Sequence, residues 1–273
     1  MRKSALSAIA FAAFASQALA ADLPSLKEAP PVALAPAPND WRFEATINGW
    51  GPSLISNLGV GRFPMASANA SIFQLLRHLK GIAPLGFVAR NDNFITGLDL
   101  FWVRLSAGST FTGPQGAGSL GGLNANMTLN ETILTGFAGV RIPVDSPELS
   151  LYAIAGARYF NLNATLNLDT AVPGFDRSQS QAKNWVDPIG GLTLRYKIND
   201  KWYVNAEADG GGYNNSATVH GLAAVGYNLT QSISTTVGLR ALYVNYQQSN
   251  NRNGSFRFQE TLVGPQATIS YNF

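Results

Sequence analysis

From Trp41 to Phe273 the chain alternates apolar and polar residues with a period of two, interrupted at intervals by Gly, Asn, Asp, Pro and Thr. The last seven residues carry the pattern without a slip. Ala267, Ile269, Tyr271 and Phe273 have one parity, and Thr268, Ser270 and Asn272 the other. Successive side chains of a strand point to opposite faces, so this period predicts strands with one apolar face. Ten are predicted, at 41–50, 84–91, 94–106, 127–142, 149–164, 185–198, 201–212, 217–229, 232–247 and 256–273.

Their connections differ in length. Tight turns are predicted at Asn91-Asp92-Asn93, Pro143 to Glu148, Asn199-Asp200 and Thr230-Gln231; longer or Gly- and Asn-rich connections fall at 51–83, 107–126, 165–184, 213–216 and 248–255. One segment changes period. Ile72, Leu75, Leu76 and Leu79 fall on one helical face, Ser71 and Gln74 match a capping box, and Arg77, His78 and Lys80 precede Gly81. A short helix over 71–81 is expected, packed at the rim rather than plugging the mouth.

The N-terminus has a different composition. Arg2 and Lys3 precede an apolar run over 5–15, and Ala18-Leu19-Ala20 is a small-x-small cleavage site. A secretory signal peptide is therefore expected over 1–20. Residues 21–40 are rich in proline and read as an extended periplasmic linker, which leaves 41–273 as the folded domain. Removing the signal takes two of the 19 basic residues and no acid, so the remainder has a formal charge of +1. Such a balance gives no reason to expect nucleic acid as a partner. Cysteine is absent, which excludes disulfides and thiolate metal sites. No cofactor and no metal site are expected.

Tight turns at one end, long loops at the other and an even strand number predict an all-β, closed, antiparallel transmembrane β-barrel of about ten strands. Eight strands is the alternative count. A β-sandwich would show the same alternation with its apolar face inward. The export signal favours the barrel, as do the charges spread along the polar faces. All five Trp (Trp41, Trp50, Trp102, Trp185 and Trp202) fall near predicted strand ends, as expected of interfacial girdles.

The inward parity then places Glu44, Asp99, Glu131, Asp187, Glu207 and Asp209 in the lumen with Arg90, Arg141, Arg158, Arg195, Lys197 and Arg240. So balanced a set inside a narrow barrel predicts a side-chain-filled lumen with a self-satisfying charge network. Gly139, Gly156 and Gly238 each stand two residues before an Arg of this set, and are expected to leave room for the guanidinium.

Five stretches resemble small outer-membrane β-barrel proteins of Gram-negative bacteria, those of porin-family or OmpA-transmembrane-domain type. They are GLDLFWVRLSAG (97–108), AGARYFNLNATLNL (155–168), the segment from Asn184 to Ala217, GLRALYVNY (238–246) and VGPQATISYNF (263–273). ADLP at 21–24 is similar to the mature start of alphaproteobacterial members. The resemblance implies an outer-membrane location, no cofactor, and contact with outer-membrane lipid and lipopolysaccharide. It further implies that Tyr271 and Phe273 form a C-terminal signal read by the barrel-assembly machinery. No peptidoglycan-binding domain is expected after the last strand.

Three functions fit this reading. The first is a non-enzymatic barrel, structural or a narrow channel. The second is surface adhesion through loops 107–126 and 165–184. A lipid hydrolase or protease ranks last, because His78 and His220 are the only histidines and neither stands in a nucleophile motif. Asp99 and Asp187 are likewise unsupported as a proteolytic pair.

Overall fold

The computed structural model describes residues 41–61, 66–111, 123–169, 177–250 and 254–273. The expected signal peptide 1–20, the linker 21–40 and parts of the long loops lie outside them. The strands are β1 (Arg42–Trp50), β2 (Ser53–Gly61), β3 (Ala66–Ala70), β4 (Leu79–Arg90), β5 (Phe94–Phe111), β6 (Leu123–Ile142), β7 (Leu149–Asp169), β8 (Arg177–Lys197), β9 (Trp202–Gly211), β10 (Ser216–Asn228), β11 (Ile233–Asn250) and β12 (Gly254–Asn272). One helix, α1 (Ile72–His78), precedes β4.

Local chemistry sets the tight turns. Asn91 Oδ1 accepts from the amides of Asn93 and Phe94 at 2.9 and 2.7 Å. Asn199 Oδ1 accepts from Lys201 and Trp202 at 2.9 and 2.8 Å. Thr230 Oγ1 accepts from Ser232 and Ile233 at 3.2 and 2.9 Å. These side chains mimic a backbone turn and fix the register of the strands that follow.

β1 pairs with β4, each strand from β4 to β12 pairs antiparallel with the next, and β12 returns to β1. The result is a closed ring of ten strands, not the alternative eight. At the seam, Phe43 and Phe273 exchange backbone hydrogen bonds of 3.1 and 3.0 Å, and their rings stack at 5.7 Å. Outside the ring, β2 continues the line of β1 along β12 from Ser53↔Val263 to Ser255↔Gly61, and β3 pairs with β2.

These two strands occupy the region expected to be a loop over 51–83. The expected helix is also shorter, because Leu79, Lys80 and Gly81 already belong to β4. Its capping box forms: Gln74 N donates to Ser71 Oγ at 3.4 Å, and Ser71 N donates to Gln74 Oε1 at 2.8 Å.

The ring has two halves of opposite polarity. Near the turns the outward face is apolar and exposed, as at Ile47, Val219, Leu239 (64%) and Ile269 (63%). On β11 this apolar outward run extends from Ile233 to Tyr243, then gives way to Asn245 and Gln247. On β7 it ends at Tyr159, followed by Asn161 and Asn163. The inward face inverts at the same level. Arg240 is followed by Leu242 and Val244, Asp99 by Phe101 and Val103, and Arg158 by Phe160 and Leu162, all buried except Asp99.

In the loop half the ring therefore becomes a sandwich. β9 and β10 stop at Gly211 and Ser216, while β8 and β11 continue. Trp185 of β8 stacks on Tyr246 of β11 at 4.5 Å across that gap. Phe101, Ile133 and Phe160 from β5–β7 pack into one cluster with Leu242, Phe256, Phe258 and Leu262 from β11–β12. Two facing sheets with an apolar core are the arrangement that the runner-up sandwich reading describes.

The girdle expectation needs correction for two tryptophans. Trp50 is buried at the base of the apolar cluster, edge-on to Phe101 at 5.1 Å, and Trp185 packs against the same cluster. Both have inward parity where the inner face turns apolar. Trp41 and Trp202 are exposed near the turns, and Trp102 sits half-buried on the outward face of β5.

The glycines before the arginines also do other work than expected. A Cβ on Gly156 would stand 2.0 Å from Gly136 O, and one on Gly238 would stand 2.1 Å from Ala223 O. The neighbouring strand's backbone, not a guanidinium, fills the space, so these glycines permit close approach where the wall curves. A Cβ on Gly190, by contrast, meets nothing closer than 3.8 Å. Gly156→Ala is expected to abolish most of the heat-modifiable folded form on a gel, and Gly190→Ala to leave it unchanged.

Candidate functional site

The turn half encloses a cavity of about 450 Å³ lined mostly by side chains of inward parity. It runs from the turn residues Asp92, Glu148 and Asn199 up to Asp99, Arg158 and Arg240. Three charged groups line it, each built from strands adjacent in the ring or facing across it.

The deepest is centred on Arg158, which is 1% exposed. Its Nε donates to Thr135 Oγ1, Nη1 to Thr218 Oγ1 and Nη2 to Asp209 Oδ2, each at 3.0 Å. All three donating nitrogens are thus engaged, which a buried guanidinium requires. On the far side of Asp209, His220 Nδ1 lies 2.8 Å from Oδ2 and 3.4 Å from Glu207 Oε1. Next to this group, Ser216 Oγ donates to Asp187, which is fully buried.

The second group spans the ring. Arg240 Nη2 reaches Asp99 Oδ2 at 2.5 Å, and its guanidinium lies 4.7 Å from the centre of the Trp50 ring. Asn48 donates to Asp99 at 2.9 Å and accepts from Thr268 at 3.2 Å. Nearer the turns, Glu44 holds Arg90 at 3.2 Å and Arg195 at 3.6 Å, and Arg195 stacks 3.7 Å over Tyr203.

Nine of the twelve charges expected in the lumen thus fall into these clusters, with Glu207 joined through His220. Three do not. Arg141 donates instead to the carbonyls of Asp92 and Leu149 at 3.4 and 3.5 Å, bracing two turns. Lys197 lies exposed at the strand end, 2.8 Å from Asp200. That hydrogen bond and charge hold the Asp200 carboxyl below its ordinary range. Glu131 sits in the loop half, buried beside Glu260. The sequence reading missed Glu260, although the even parity of Gln266, Thr268 and Ser270 carried back along β12 places it inward.

Glu207, Asp209 and His220 bring ligand-type atoms within 4.8 Å of one another. A metal ion does not fit there, because the Arg158 guanidinium already supplies Asp209 with its positive charge and would repel a cation. Nor does the His–Asp pair have a nucleophile: His220 Nε2 is buried without a hydrogen-bond partner among the described residues. His78 lies exposed on α1.

No family model matches the chain, and no curated protein matches it. Among solved structures it is similar to Ail, the attachment invasion locus protein of Yersinia pestis, at 10% identity over 85% of this chain and 98% of that one, with a TM-score of 0.33. The N-terminal β-barrel domain of Pseudomonas aeruginosa OprF gives 10% identity, 85% and 97% coverage and a TM-score of 0.28. The translocator domain of the autotransporter NalP from Neisseria meningitidis gives 12%, 85% and 88%, and 0.37. Likeness at these values assigns neither a family nor an activity.

Arg158→Met would leave Asp209 buried without its main partner, and is expected to destabilise the barrel by about 3–5 kcal/mol. The double variant Arg158→Met/Asp209→Leu is expected to recover part of that loss. Urea unfolding of the micelle-folded protein checks both.

Proposed function

We propose that this chain is an integral outer-membrane barrel that does not conduct, a structural and non-enzymatic component of the cell envelope. One observation carries this reading: the lumen is polar only in the turn half, and a buried apolar layer lies across it immediately above. Phe101, Ile133, Phe160 and Leu242 form that layer, each at most 4% exposed. Hydrated ions find no polar path through such a layer.

Location in a membrane is supported by the exposed apolar belt. Its outward run on β11, from Ile233 to Tyr243, matches the roughly 9–11 residues that a transmembrane strand needs. Nearest the turns the ring is closed, with β1 paired to both β12 and β4. Outer-membrane lipid and lipopolysaccharide are the corresponding partners. Tyr271 and Phe273 are exposed on the outward face, available to the barrel-assembly machinery.

A second reading, surface adhesion, is favoured by strand length. β6, β7 and β8 run 20, 21 and 21 residues, so roughly half of each stands beyond the belt as a wall with a polar outer face. Such a wall carries the strand ends well clear of the belt, which suits binding at the cell surface.

Planar-bilayer recording separates the sealed barrel from a narrow channel. Purified protein, its fold verified by heat-modifiable mobility, is expected to give no current steps above baseline. Regular ion-conducting steps would overturn the sealed-lumen reading.

A further inference from the structure

The sandwich half has an open edge between β3 and β4. β1 pairs with β4 only as far as Ile47↔Leu85. Beyond that point β4 pairs with β5 alone, while β2 carries β3 on its free side. Helix α1 lies over this edge without being locked to it. None of its residues is buried, and Phe73 (73%) and Leu76 remain largely exposed.

Under the helix is an apolar cavity of about 60 Å³. Trp50, Phe101, Val103 and Leu262 form its walls, and Ile72, Leu75 and Leu76 its lid. Two carboxyls stand against it. Glu131 and Glu260 are 5% and 3% exposed and lie within hydrogen-bonding reach of each other. Neither forms an ion pair among the described residues, and Glu260 Oε2 is buried with no hydrogen-bond partner. The basic residues at the end of α1 and just after it, Arg77, His78 and Lys80, are exposed, as is Arg257, three residues before Glu260.

Two carboxyls in contact inside an apolar shell call for a shared proton or a cation held between them. An inorganic cation is poorly served, since calcium takes six to eight oxygen ligands and magnesium retains several waters. The remaining wall is hydrocarbon and aromatic. A ligand that satisfies both parts of the site has a protonated amine at one end and an apolar body at the other.

We propose that this edge is a binding site for small amphiphilic amines. The ammonium group lies between Glu131 and Glu260, where it donates to the free Glu260 Oε2. The first carbons fill the cavity against Trp50 and Phe101. The rest of the chain runs along the apolar face of α1, which shifts outward to admit it. The charged cavity of the turn half takes no part, because the apolar layer separates the two.

The probe is n-hexylamine, with hexanol and hexanoate as partners of equal chain length, titrated by calorimetry into the full chain folded in detergent micelles. Hexylamine is expected to bind at least tenfold tighter than either partner and to raise the thermal midpoint. Glu260→Gln and Glu131→Gln, each verified as folded by heat-modifiable mobility, are expected to weaken hexylamine at least tenfold. If one variant does not fold, the other carries the test. Absence of hexylamine binding, equal binding of hexanol, or unchanged affinity in a folded Gln variant would overturn the proposal. Amine affinity and bilayer current are read separately, so this site and the sealed lumen succeed or fail independently.

Discussion

Closure of the sheet is the constraint from which the other features follow. A backbone N–H or C=O left unpaired in lipid costs several kcal/mol, so a sheet crossing a bilayer must have no free edge within it. Here the seam runs from Glu44↔Asn272 to Trp50↔Gln266, and the two strand ends are tied by the reciprocal Phe43–Phe273 hydrogen bonds. A ring of ten strands is narrow, so its inward side chains meet across the lumen and must satisfy one another. Arg158 with Asp209, and Arg240 with Asp99, do so from non-adjacent strands. These bonds span the interior as well as neutralise it.

Closure is needed only where lipid surrounds the sheet. From the upper rim of the apolar belt onward the outward residues give way to polar ones, water can satisfy an edge, and the ring opens at two places. One is bridged by the Trp185–Tyr246 stack, and the other is covered by α1. With the outer face solvated, the inner face takes over the apolar burial, as in a soluble sandwich. The same strands thus have a membrane protein's polarity near the turns and a soluble protein's polarity near the loops. Lys183, inward in the apolar half, is satisfied by Gln248 and the Phe256 ring, whereas the buried Glu131 and Glu260 form no ion pair among the described residues, which is why they read as a site rather than as packing.

Much of the barrel is legible in the sequence because its signals are local. The period of two is read residue by residue, and Asn91, Asn199 and Thr230 mark turns through their own side chains. Arg158, Asp209, Arg240 and Asp99 follow from parity alone. β2 and β3 are not legible in this way, since SLISNLGVG lacks clean alternation and its partner is distant in sequence. A length mismatch does hint at them: a last strand of eighteen predicted residues beside a first of ten leaves eight without a partner. The inward tryptophans are hidden for a related reason. A Trp at a strand end suits a girdle or a core equally well, and only the mid-strand inversion of polarity distinguishes the two.

The level of that inversion along the strands can be measured directly. The sequence contains no cysteine, so single-cysteine variants along the outward face of β11 accept one fluorescent label each. Labels at Val237→Cys, Leu239→Cys, Asn245→Cys and Gln247→Cys are compared in vesicles with and without brominated acyl chains. Strong quenching is expected at 237 and 239, and almost none at 245 and 247. Equal quenching at all four positions would contradict the inversion, because the whole strand would then lie in lipid and the apolar loop half could not be the core of a solvated sandwich.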